Sequence, residues 1–446
     1  ANGANTSKPV IIVIPDADQT PEMLCGLSEG LPPEQQYARR LAESGCRVFV
    51  PSIISRYYEA RNGRAKMTSR EFSYRSAYEL GRHLIGYEIQ KILSLLDECD
   101  RKLDGDESRY AVMGWGEGGL LALYAAALDE RIDVACVSGY FDSRQDIWQE
   151  PISRNVFGLL DQFGDAEIAT LVAPRKLIIE AAAGPQVELP GGGGAPAVLD
   201  TPRPGVVKSE LARAAALLGD KPDLANFQLV QSGDGTGPFA SEQALQALLT
   251  SLDPELKLAE IDEPLEVRGV IDDRARQVRQ LAEIDEHNQW LLRESPFVRK
   301  QFMSKLDTSS VEAYEKSAED YREYFRHEVI GHFDLDLLPM NARTRMTEET
   351  DKWTRYEVVL DVFDDVIAYG LVTIPKGIKD GEQRPVVVCQ HGLEGRPQST
   401  IGEVQEQYYA RFATVLAERG FITFAPQNLY IFKDRFRTLQ RKSYVL

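Results

Sequence analysis

The fold is decided by Tyr110-Ala-Val-Met-Gly-Trp-Gly-Glu-Gly-Gly-Leu-Leu-Ala-Leu-Tyr-Ala-Ala-Ala-Leu128, in which four glycines lie between two apolar runs. The first run, Tyr110–Met113, has the length and composition of a short buried strand. The second run, Leu120–Leu128, consists mostly of strong helix formers. Because glycine lets the backbone turn tightly, the segment predicts a strand, a sharp turn and a helix.

The turn matches the frame Gly-x-Ser-x-Gly, in which a strand-to-helix turn exposes a serine nucleophile. Here the frame is Gly114-Trp115-Gly116-Glu117-Gly118, so Gly116 occupies the nucleophile position. Glycine has no side chain and cannot attack a carbonyl carbon. We therefore expect a nucleophile elbow that lacks its nucleophile.

Two other interpretations of this turn stay open. Gly114, Gly116 and Gly119 also match Gly-x-Gly-x-x-Gly, the dinucleotide-binding fingerprint. That fingerprint belongs to the first strand-helix unit of its domain, whereas two strand candidates, Val10–Ile14 and Arg47–Val50, come earlier here. The remaining interpretation is a plain glycine-rich turn without a functional history.

Length and composition bound the protein class. The 446 residues predict two or three domains of ordinary globular composition. The net charge of −18 argues against nucleic acid and anionic membrane surfaces as partners. No apolar run reaches the length of a membrane span, and the five cysteines lack metal-type spacing. The chain begins at Ala1, which agrees with the removal of a signal peptide.

Strand candidates alternate with helical segments through the first 252 residues. This order predicts a doubly wound, mostly parallel α/β sheet. Residues 55–72 are predicted as a loop, Ser73–Asp97 as one long amphipathic helix that carries His83, and Gly184–Gly205 as a flexible surface insertion. The strand candidates are Val10–Ile14, Arg47–Val50, Tyr110–Met113, Val134–Val137, Lys176–Ile179 and Ala225–Val230.

Catalysis by a serine elbow needs an acid and a histidine further along the chain. The acid should follow the strand Lys176–Ile179, where Glu180 and Glu188 are the candidates. The histidine should lie in the loop after Val230, but no histidine occurs between residues 84 and 286. Without an imidazole, a serine has no ordinary general base.

Residues 253–339 are predicted as a helical connector between two domains. The segment His327-Glu-Val-Ile-Gly-His332 resembles a zinc motif, but its histidines are five residues apart and lie about 140° apart around a helix. We expect a charged helix end there. An antiparallel hairpin, Tyr356–Val362 and Val366–Ile374, is predicted next, followed by a buried strand that begins at Pro385.

The start of the chain recurs near its end. Pro9-Val-Ile-Ile-Val-Ile-Pro15-Asp16 aligns with Pro385-Val-Val-Val-Cys-Gln-His391-Gly392 at an offset of 376. The segment Leu41–Pro51 aligns with Leu416–Pro426 at an offset of 375. Two strand-helix-strand blocks at nearly one offset predict tandem domains of one fold.

The two copies differ after their first strand. The second copy has His391-Gly392-Leu393, a turn of the kind that supplies a backbone N–H to an oxyanion hole. The first copy has Asp16 and Asp18 there, and carboxylates would oppose a developing oxyanion.

The chain resembles the dienelactone hydrolase-like and acetylxylan esterase-like α/β-hydrolases. The resemblance rests on Gly81–Gln90, the frame 114–118, Asp129–Tyr140, Ile147–Ile152, Ala173–Arg175, Tyr356–Pro375 and Pro385–Arg396. It implies a serine-dependent carboxylic ester hydrolase without a metal or other cofactor. Gly392 and Leu393 match the oxyanion turn, while Gly116 and Gly237 occupy the expected nucleophile and histidine positions.

We therefore expect a degenerate hydrolase domain at 1–252, a connector at 253–339 and a partial second hydrolase domain at 340–446. Ester hydrolysis is expected only from a fuller second domain, and this chain is expected to be inactive. The alternative is a non-catalytic pseudohydrolase that binds a ligand or a protein. A small ester or carbohydrate ester as substrate, self-association through the unfinished domain, and a secreted or periplasmic location complete the expectations.

Overall fold

The apolar runs of the N-terminal half form one six-stranded parallel sheet in this computed structural model, with the strand order β10-β7-β6-β5-β1-β2. The structure describes residues 8–61, 63, 65–102, 109–191, 194–219, 221, 223–261, 272–392, 395–402 and 406–428. These residues belong to two compact units, unit 1 (1–306) and unit 2 (307–446). The strands of unit 1 are β1 (Val10–Ile14), β2 (Arg47–Phe49), β3 (Tyr58–Arg61), β4 (Ala65–Thr68), β5 (Tyr110–Trp115), β6 (Ile132–Ser138), β7 (Lys176–Ala181), β8 (Val187–Leu189), β9 (Ala197–Leu199) and β10 (Phe227–Gln231).

Helices cover both faces of this sheet. One face packs on α4 and α5 and the other on α2 and α9, so Val10 and Ile12 of β1 lie in one core while Ile11 and Val13 lie in the other. All four side chains are fully buried. The helices of unit 1 are α1 (Pro21–Leu24), α2 (Tyr37–Glu43), α3 (Ser69–Tyr78), α4 (Leu84–Lys102), α5 (Glu117–Leu128), α6 (Leu159–Gln162), α7 (Asp165–Thr170), α8 (Pro204–Leu217), α9 (Glu242–Leu252) and α10 (Asp273–Phe302). The doubly wound α/β sheet is the predicted fold class.

Three local predictions are wrong. The supposed loop 55–72 contains the antiparallel hairpin β3–β4 and the start of α3. The single helix predicted over Ser73–Asp97 is two helices, because Gly81 takes a positive φ of 70° and separates α3 from α4. His83 precedes α4, where its Nδ1 accepts the N–H of Ile85 at 3.1 Å. The supposed flexible insertion Gly184–Gly205 contains the hairpin β8–β9.

Unit 2 is built on a five-stranded sheet with the order β11-β12-β13-β15-β14. The predicted hairpin is present as β12 and β13, and only β14 and β15 pair in parallel. A π-helical turn, Phe325–Ile330, follows α11. The other elements are α11 (Val311–Tyr324), β11 (Arg343–Glu349), β12 (Trp353–Phe363), β13 (Val366–Pro375), β14 (Val386–Val388), α12 (Pro397–Ile401), α13 (Glu406–Tyr409), α14 (Phe412–Glu418) and β15 (Ile422–Pro426).

The two sequence repeats have the same strand register. In unit 1, Val10 pairs with Arg47; at the repeat offsets, Val386 pairs with Ile422 in unit 2. The same backbone hydrogen bond precedes each pair: Arg47 N donates to Pro9 O at 2.8 Å, and Ile422 N donates to Pro385 O at 3.1 Å. Strands β1–β2 and β14–β15 are therefore equivalent in geometry as well as in sequence.

The cover over these equivalent strands differs. Helices α12 and α14 contribute to the core on one face of β14, next to Val387 and Cys389. On the opposite face, Val386 and Val388 are 61% and 63% exposed. Within the described residues, β15 is the only strand that pairs with β14, whereas β1 pairs on both sides. In the described residues, unit 2 therefore has an open strand edge and a bare apolar sheet face where unit 1 has β5, α4 and α5.

Candidate functional site

The strand-turn-helix of the deciding segment has the geometry of a nucleophile elbow. Strand β5 ends at Trp115, Gly116 adopts φ 57° and ψ −116°, and α5 begins at Glu117. The outer glycines are required by close packing, since a Cβ on Gly114 would collide with Gly118, and one on Gly118 with the backbone of Ile14. The turn thus lies at the carboxyl end of β5, a central strand of the sheet, as the sequence predicts.

No side chain fits at the nucleophile position. A Cβ on Gly116 would lie 2.5 Å from Asp16 Oδ1 and 2.9 Å from Pro185 Cγ. A side chain at residue 116 would therefore collide with two neighbouring side chains unless they moved.

The Asp16 carboxylate binds the backbone N–H that an oxyanion hole would use. In hydrolases with this elbow, the residue after the nucleophile supplies one oxyanion N–H. Here that residue is Glu117, and its N–H donates to Asp16 Oδ1 at 2.8 Å. Arg56 binds both oxygens of the same carboxylate, with Nη2 at 3.0 Å from Oδ1 and Nη1 on Oδ2. A dinucleotide would place its pyrophosphate at the N-terminus of α5. The Asp16 carboxylate already occupies that position.

A buried network of arginines and carboxylates surrounds the elbow. Glu117 is 1% exposed and receives Arg70 at 2.8 Å and Arg154 at 2.9 Å. Arg70 also binds Glu88 through two hydrogen bonds of 2.8 and 2.9 Å. Burial opposes the ionisation of Glu117, but Arg154, Arg70 and Arg56 outweigh it and hold the pKa of this carboxyl well below its usual value. The network therefore stabilises an ionised carboxylate at the start of α5.

The same balance applies to Asp16. Burial raises the pKa of its carboxyl, but the charge and hydrogen bonds of Arg56 and the N–H groups of Glu117 and Asp18 outweigh burial, so the pKa lies below its usual value. Asp16 is therefore an anion that is held in place by buried donors.

Glu180 lies near the end of β7, where the sequence predicts a catalytic acid, but its carboxylate binds backbone N–H groups just before α9. Its carboxylate accepts the N–H groups of Ala240 at 2.9 Å and Ser241 at 2.8 Å, and the hydroxyl of Ser138 at 2.6 Å. Burial raises the pKa of Glu180 against these hydrogen bonds. Glu188 lies on β8 with an exposed side chain. Neither carboxylate forms a hydrogen bond with a histidine among the described contacts.

The loop after β10 leaves no space for a histidine at residue 237. A Cβ on Gly237 would lie 2.8 Å from the backbone and hydroxyl of Ser232. Phe239 of the same loop stacks on Trp115 with ring centroids 4.1 Å apart. The Trp115 indole N–H donates to Ala183 O at 2.7 Å. Aromatic packing thus links this loop to the elbow.

A polar cleft of about 270 Å³ lies beside the elbow at the carboxyl ends of β6 and β7. Pro185, which approaches Gly116, is part of its wall. The guanidinium groups of Arg144 and Arg154 line the cleft but are committed to Glu150 at 2.9 and 3.0 Å. Its lining also includes the polar side chains of Asp142, Asp146, Gln149, Asp200, Thr201 and Arg203.

The histidines outside the turn at 391 do not assemble a site. His287 is hydrogen-bonded to Tyr87 at 2.7 Å, and His83 Nε2 lies 2.9 Å from Asn155 O. His327 lies in the π-helical turn and contacts Glu323 at 3.1 Å, while His332 lies just after that turn. Within the described part of the chain, no group of three His, Cys, Asp or Glu side chains is placed to hold a metal ion.

In unit 2, the His391-Gly392 turn follows β14 directly. The Gly392 N–H donates to the Tyr409 hydroxyl at 2.8 Å, so it points at an oxygen atom beside the turn. His391 is 3% exposed, and its Nδ1 lies 2.8 Å from Gly392 O. The third residue of the predicted turn, Leu393, lies outside the described residues.

Sequence reasoning missed the arginines of the buried network. Arg56 and Arg70 fall in the segment predicted as a polar loop, and no motif in the sequence marks Arg154 as a site residue. The sequence signal for Arg56 and Arg70 is the unusual density of arginine in residues 56–75, a segment that does not include Arg154. A contact between Arg56 and Asp16 spans 40 residues, so no local pattern announces it.

No family model and no curated protein matches the chain. Among solved structures, a proposed acetyl xylan esterase from Bacteroides fragilis NCTC 9343 has a TM-score of 0.36 at 17% identity, over 52% of this chain and 60% of that protein. A glucuronoyl esterase from Solibacter usitatus has a TM-score of 0.34 at 14% identity, over 56% and 75%. A proposed dienelactone hydrolase from Klebsiella pneumoniae subsp. pneumoniae MGH 78578 has a TM-score of 0.34 at 12% identity, over 56% and 89%.

The chain thus spans less than two thirds of the Bacteroides protein. Because these TM-scores are low, the fold class is assigned from the strand order and the strand-turn-helix of unit 1 and not from these similarities. In the described part of the chain, no helix has the length and apolar composition to cross a bilayer.

Proposed function

We propose that this chain belongs to a two-domain carboxylic ester hydrolase in which unit 1 is non-catalytic. Catalysis would belong to unit 2 after further strands and helices complete it. One observation carries the proposal: β14 repeats β1 in register, but among the described residues it has an open edge and a bare face. In unit 1 that edge holds β5, which leads into the elbow. The nucleophile elbow of unit 2 would accordingly follow a strand that pairs with β14.

The His391-Gly392 turn supports a catalytic role for unit 2. During ester hydrolysis, the attack on the carbonyl carbon places negative charge on the carbonyl oxygen, and fixed N–H donors stabilise that charge. The Gly392 N–H donates to the neutral Tyr409 hydroxyl, which a carbonyl oxygen of the substrate would have to displace. At the equivalent position, unit 1 has Asp16, whose carboxylate would repel a developing oxyanion.

The substrate class follows from the family resemblance. Dienelactone hydrolase-like and acetylxylan esterase-like enzymes imply a small carboxylic ester, including esters of carbohydrates, without a metal or other cofactor. Self-association through the bare face of unit 2 stays a prediction.

The test compares the 446-residue chain with a longer product of its natural gene. We expect p-nitrophenyl acetate to be hydrolysed by the longer product and not by this chain. A fluorophosphonate probe should label one serine of the longer product outside residues 1–446, as mass spectrometry of peptides would show. Full turnover by the 446-residue chain would contradict the proposal.

A matched pair of variants tests the turn within the longer product. Gly392→Pro removes the N–H, and we expect kcat to fall by about 10²-fold, the usual effect of losing one oxyanion donor. Gly392→Ala keeps the N–H and has no positive φ, and its Cβ would lie 3.1 Å from the Tyr409 hydroxyl, which needs only a small shift, so its kcat should stay close to that of the parent. Equal loss in both variants would mean that the N–H has no catalytic role.

The alternative function is a pseudohydrolase that binds a ligand or a protein without turnover. The observation that favours it is the polar cleft of about 270 Å³ beside the elbow of unit 1. Absence of both turnover and serine labelling in the longer product would favour this alternative, and ligand screening by thermal shift would then follow.

A further inference from the structure

We infer that unit 1 retains a binding site for small monocarboxylates at the start of α5, and that the Asp16 side chain is its built-in occupant. The inference concerns a position that would hold the oxyanion in a hydrolase. It does not depend on the proposed activity of unit 2.

The donors of this site converge on one buried carboxylate. Asp16 Oδ1 receives the Glu117 N–H at 2.8 Å and Arg56 Nη2 at 3.0 Å. Asp16 Oδ2 receives Arg56 Nη1 and the Asp18 N–H, the latter at 3.0 Å. The side chains of Arg56 and Asp16 are only 4% and 1% exposed. Two backbone donors and a two-pronged guanidinium are the groups that suit a carboxylate.

A further polar group borders the site. Gln19 Oε1 accepts the Asp16 N–H at 3.0 Å, and the Nε2 atom of the same amide is buried without a hydrogen-bond partner in the described structure. Arg56 also contacts the carboxylates of Asp18 at 2.8 Å and Glu117 at 3.4 Å. These two anions share its charge, so we expect weak binding of an added anion.

The shape of the occupant sets the ligand class. Beyond its Cα, the Asp16 side chain is a methylene carrying a carboxylate, which has the size of acetate. A free carboxylic acid cannot approach Cα as closely as the bonded Cβ does, so formate should fit better than acetate. Pro185, next to the elbow, limits larger acids. The site thus holds internally the same functional group that ester hydrolysis releases as its acid product.

Removing the occupant tests the inference. In Asp16→Gly the donors remain and the carboxylate is absent. We expect about 50 mM formate to raise the Tm of this variant by about 3 °C relative to the same concentration of chloride, the shift that millimolar binding to the folded state produces. Acetate should act more weakly, and the parent protein should show no difference between formate and chloride.

Two controls separate binding from a general salt effect. Asp16→Asn fills the same space without charge, so formate should not raise its Tm. The double variant Asp16→Gly/Arg56→Met lacks the guanidinium and should also not respond. A folded Asp16→Gly variant with equal Tm in formate and chloride would overturn the inference.

If Asp16→Gly is recovered only unfolded, its refolding yield in formate and in chloride gives the same comparison. Asp16→Ser, which keeps a smaller acceptor, provides a second background. A yield that does not rise with formate in either variant would also overturn the inference.

Discussion

Strands β1 and β14 show how differently one sequence pattern is used within a single chain. Both are short β-branched runs, both pair in parallel with the second strand of their repeat, and both have the same register. Yet Val10 and Ile12 are fully buried, whereas the equivalent Val386 and Val388 are 61% and 63% exposed. The difference comes from β5, α4 and α5, which follow β2 along the chain. An apolar strand is therefore buried only when both of its faces are covered. The segments that follow it along the chain determine whether the second face is covered.

The largest expected effect concerns the buried network of arginines and carboxylates around the elbow of unit 1. Arg70→Met leaves the carboxylates of Glu88 and Glu117 without their shared partner. Loss of one member of a buried pair costs about 3–5 kcal/mol of unfolding free energy. Denaturant unfolding, with hydrogen exchange to assign the transition to unit 1, measures the loss.

The control for this variant is Arg101→Met on α4. Arg101 pairs with Glu98 on the surface. We expect no measurable change in the unfolding of unit 1, because exposed ion pairs contribute little. A similar loss in both variants would mean that burial is not what makes the Arg70 contacts important.

The most direct contrast uses the equivalent residues Ile12 and Val388. Ile12→Ala should cost about 2–5 kcal/mol, because it leaves a cavity in a closed core. Val388→Ala should change the free energy of unfolding of unit 2 by less than about 0.5 kcal/mol, since the side chain is exposed. Equal costs in denaturant unfolding would show that another surface covers β14 in solution.

Placing a serine at residue 116 should not produce ester hydrolysis by unit 1. Gly116→Ser places a Cβ against Asp16 and Pro185 at a residue with positive φ. We expect a loss of about 1–3 kcal/mol in stability and no hydrolysis of p-nitrophenyl acetate. Serine-dependent turnover by this variant would mean that the elbow of unit 1 is still catalytically competent.

The smallest expected effect is a pH dependence from Asp165. Burial, opposed by Arg144, raises the pKa of this carboxyl from 3.8 to about 6. Between these values the folded protein holds a proton that the unfolded chain has released, so this contribution to stability is fully present below pH 4 and is lost as pH rises to about 6.

Asp165→Asn removes that titration. The stability of the variant relative to the parent should rise by about 1 kcal/mol between pH 4 and pH 5, measured by urea unfolding at each pH. A constant difference across this range would contradict the raised pKa.

The sequence predicts the parts of this molecule that depend on local pattern. The glycines around residue 116 predict the elbow, the apolar runs predict the parallel sheet, and the repeat predicts the equivalence of β1 and β14. The hairpins β3–β4 and β8–β9 were missed because their strands are three or four residues long, and three of the four lack a buried apolar face.

The site itself is less accessible to sequence reasoning. Aspartates after β1 predict an unfavourable place for an oxyanion, but not that Asp16 itself binds the Glu117 N–H. That contact joins residues 101 positions apart. It depends on the packing of β1 against β5, and on Arg56, which no spacing rule connects to either residue.

In the described residues, no strand pairs with β14 on the side where β5 pairs with β1, and amide hydrogen exchange tests this difference directly. In unit 1 the Val10 N–H donates to Arg109 O at 2.9 Å, on the side of β5. Because the register is shared, the N–H of Val386 is expected to face the side of β14 on which the described residues have no strand. We predict that in the 446-residue chain a peptide covering Val386–Val388 exchanges several orders of magnitude faster than one covering Val10–Ile14. Equal protection of the two peptides would contradict the account.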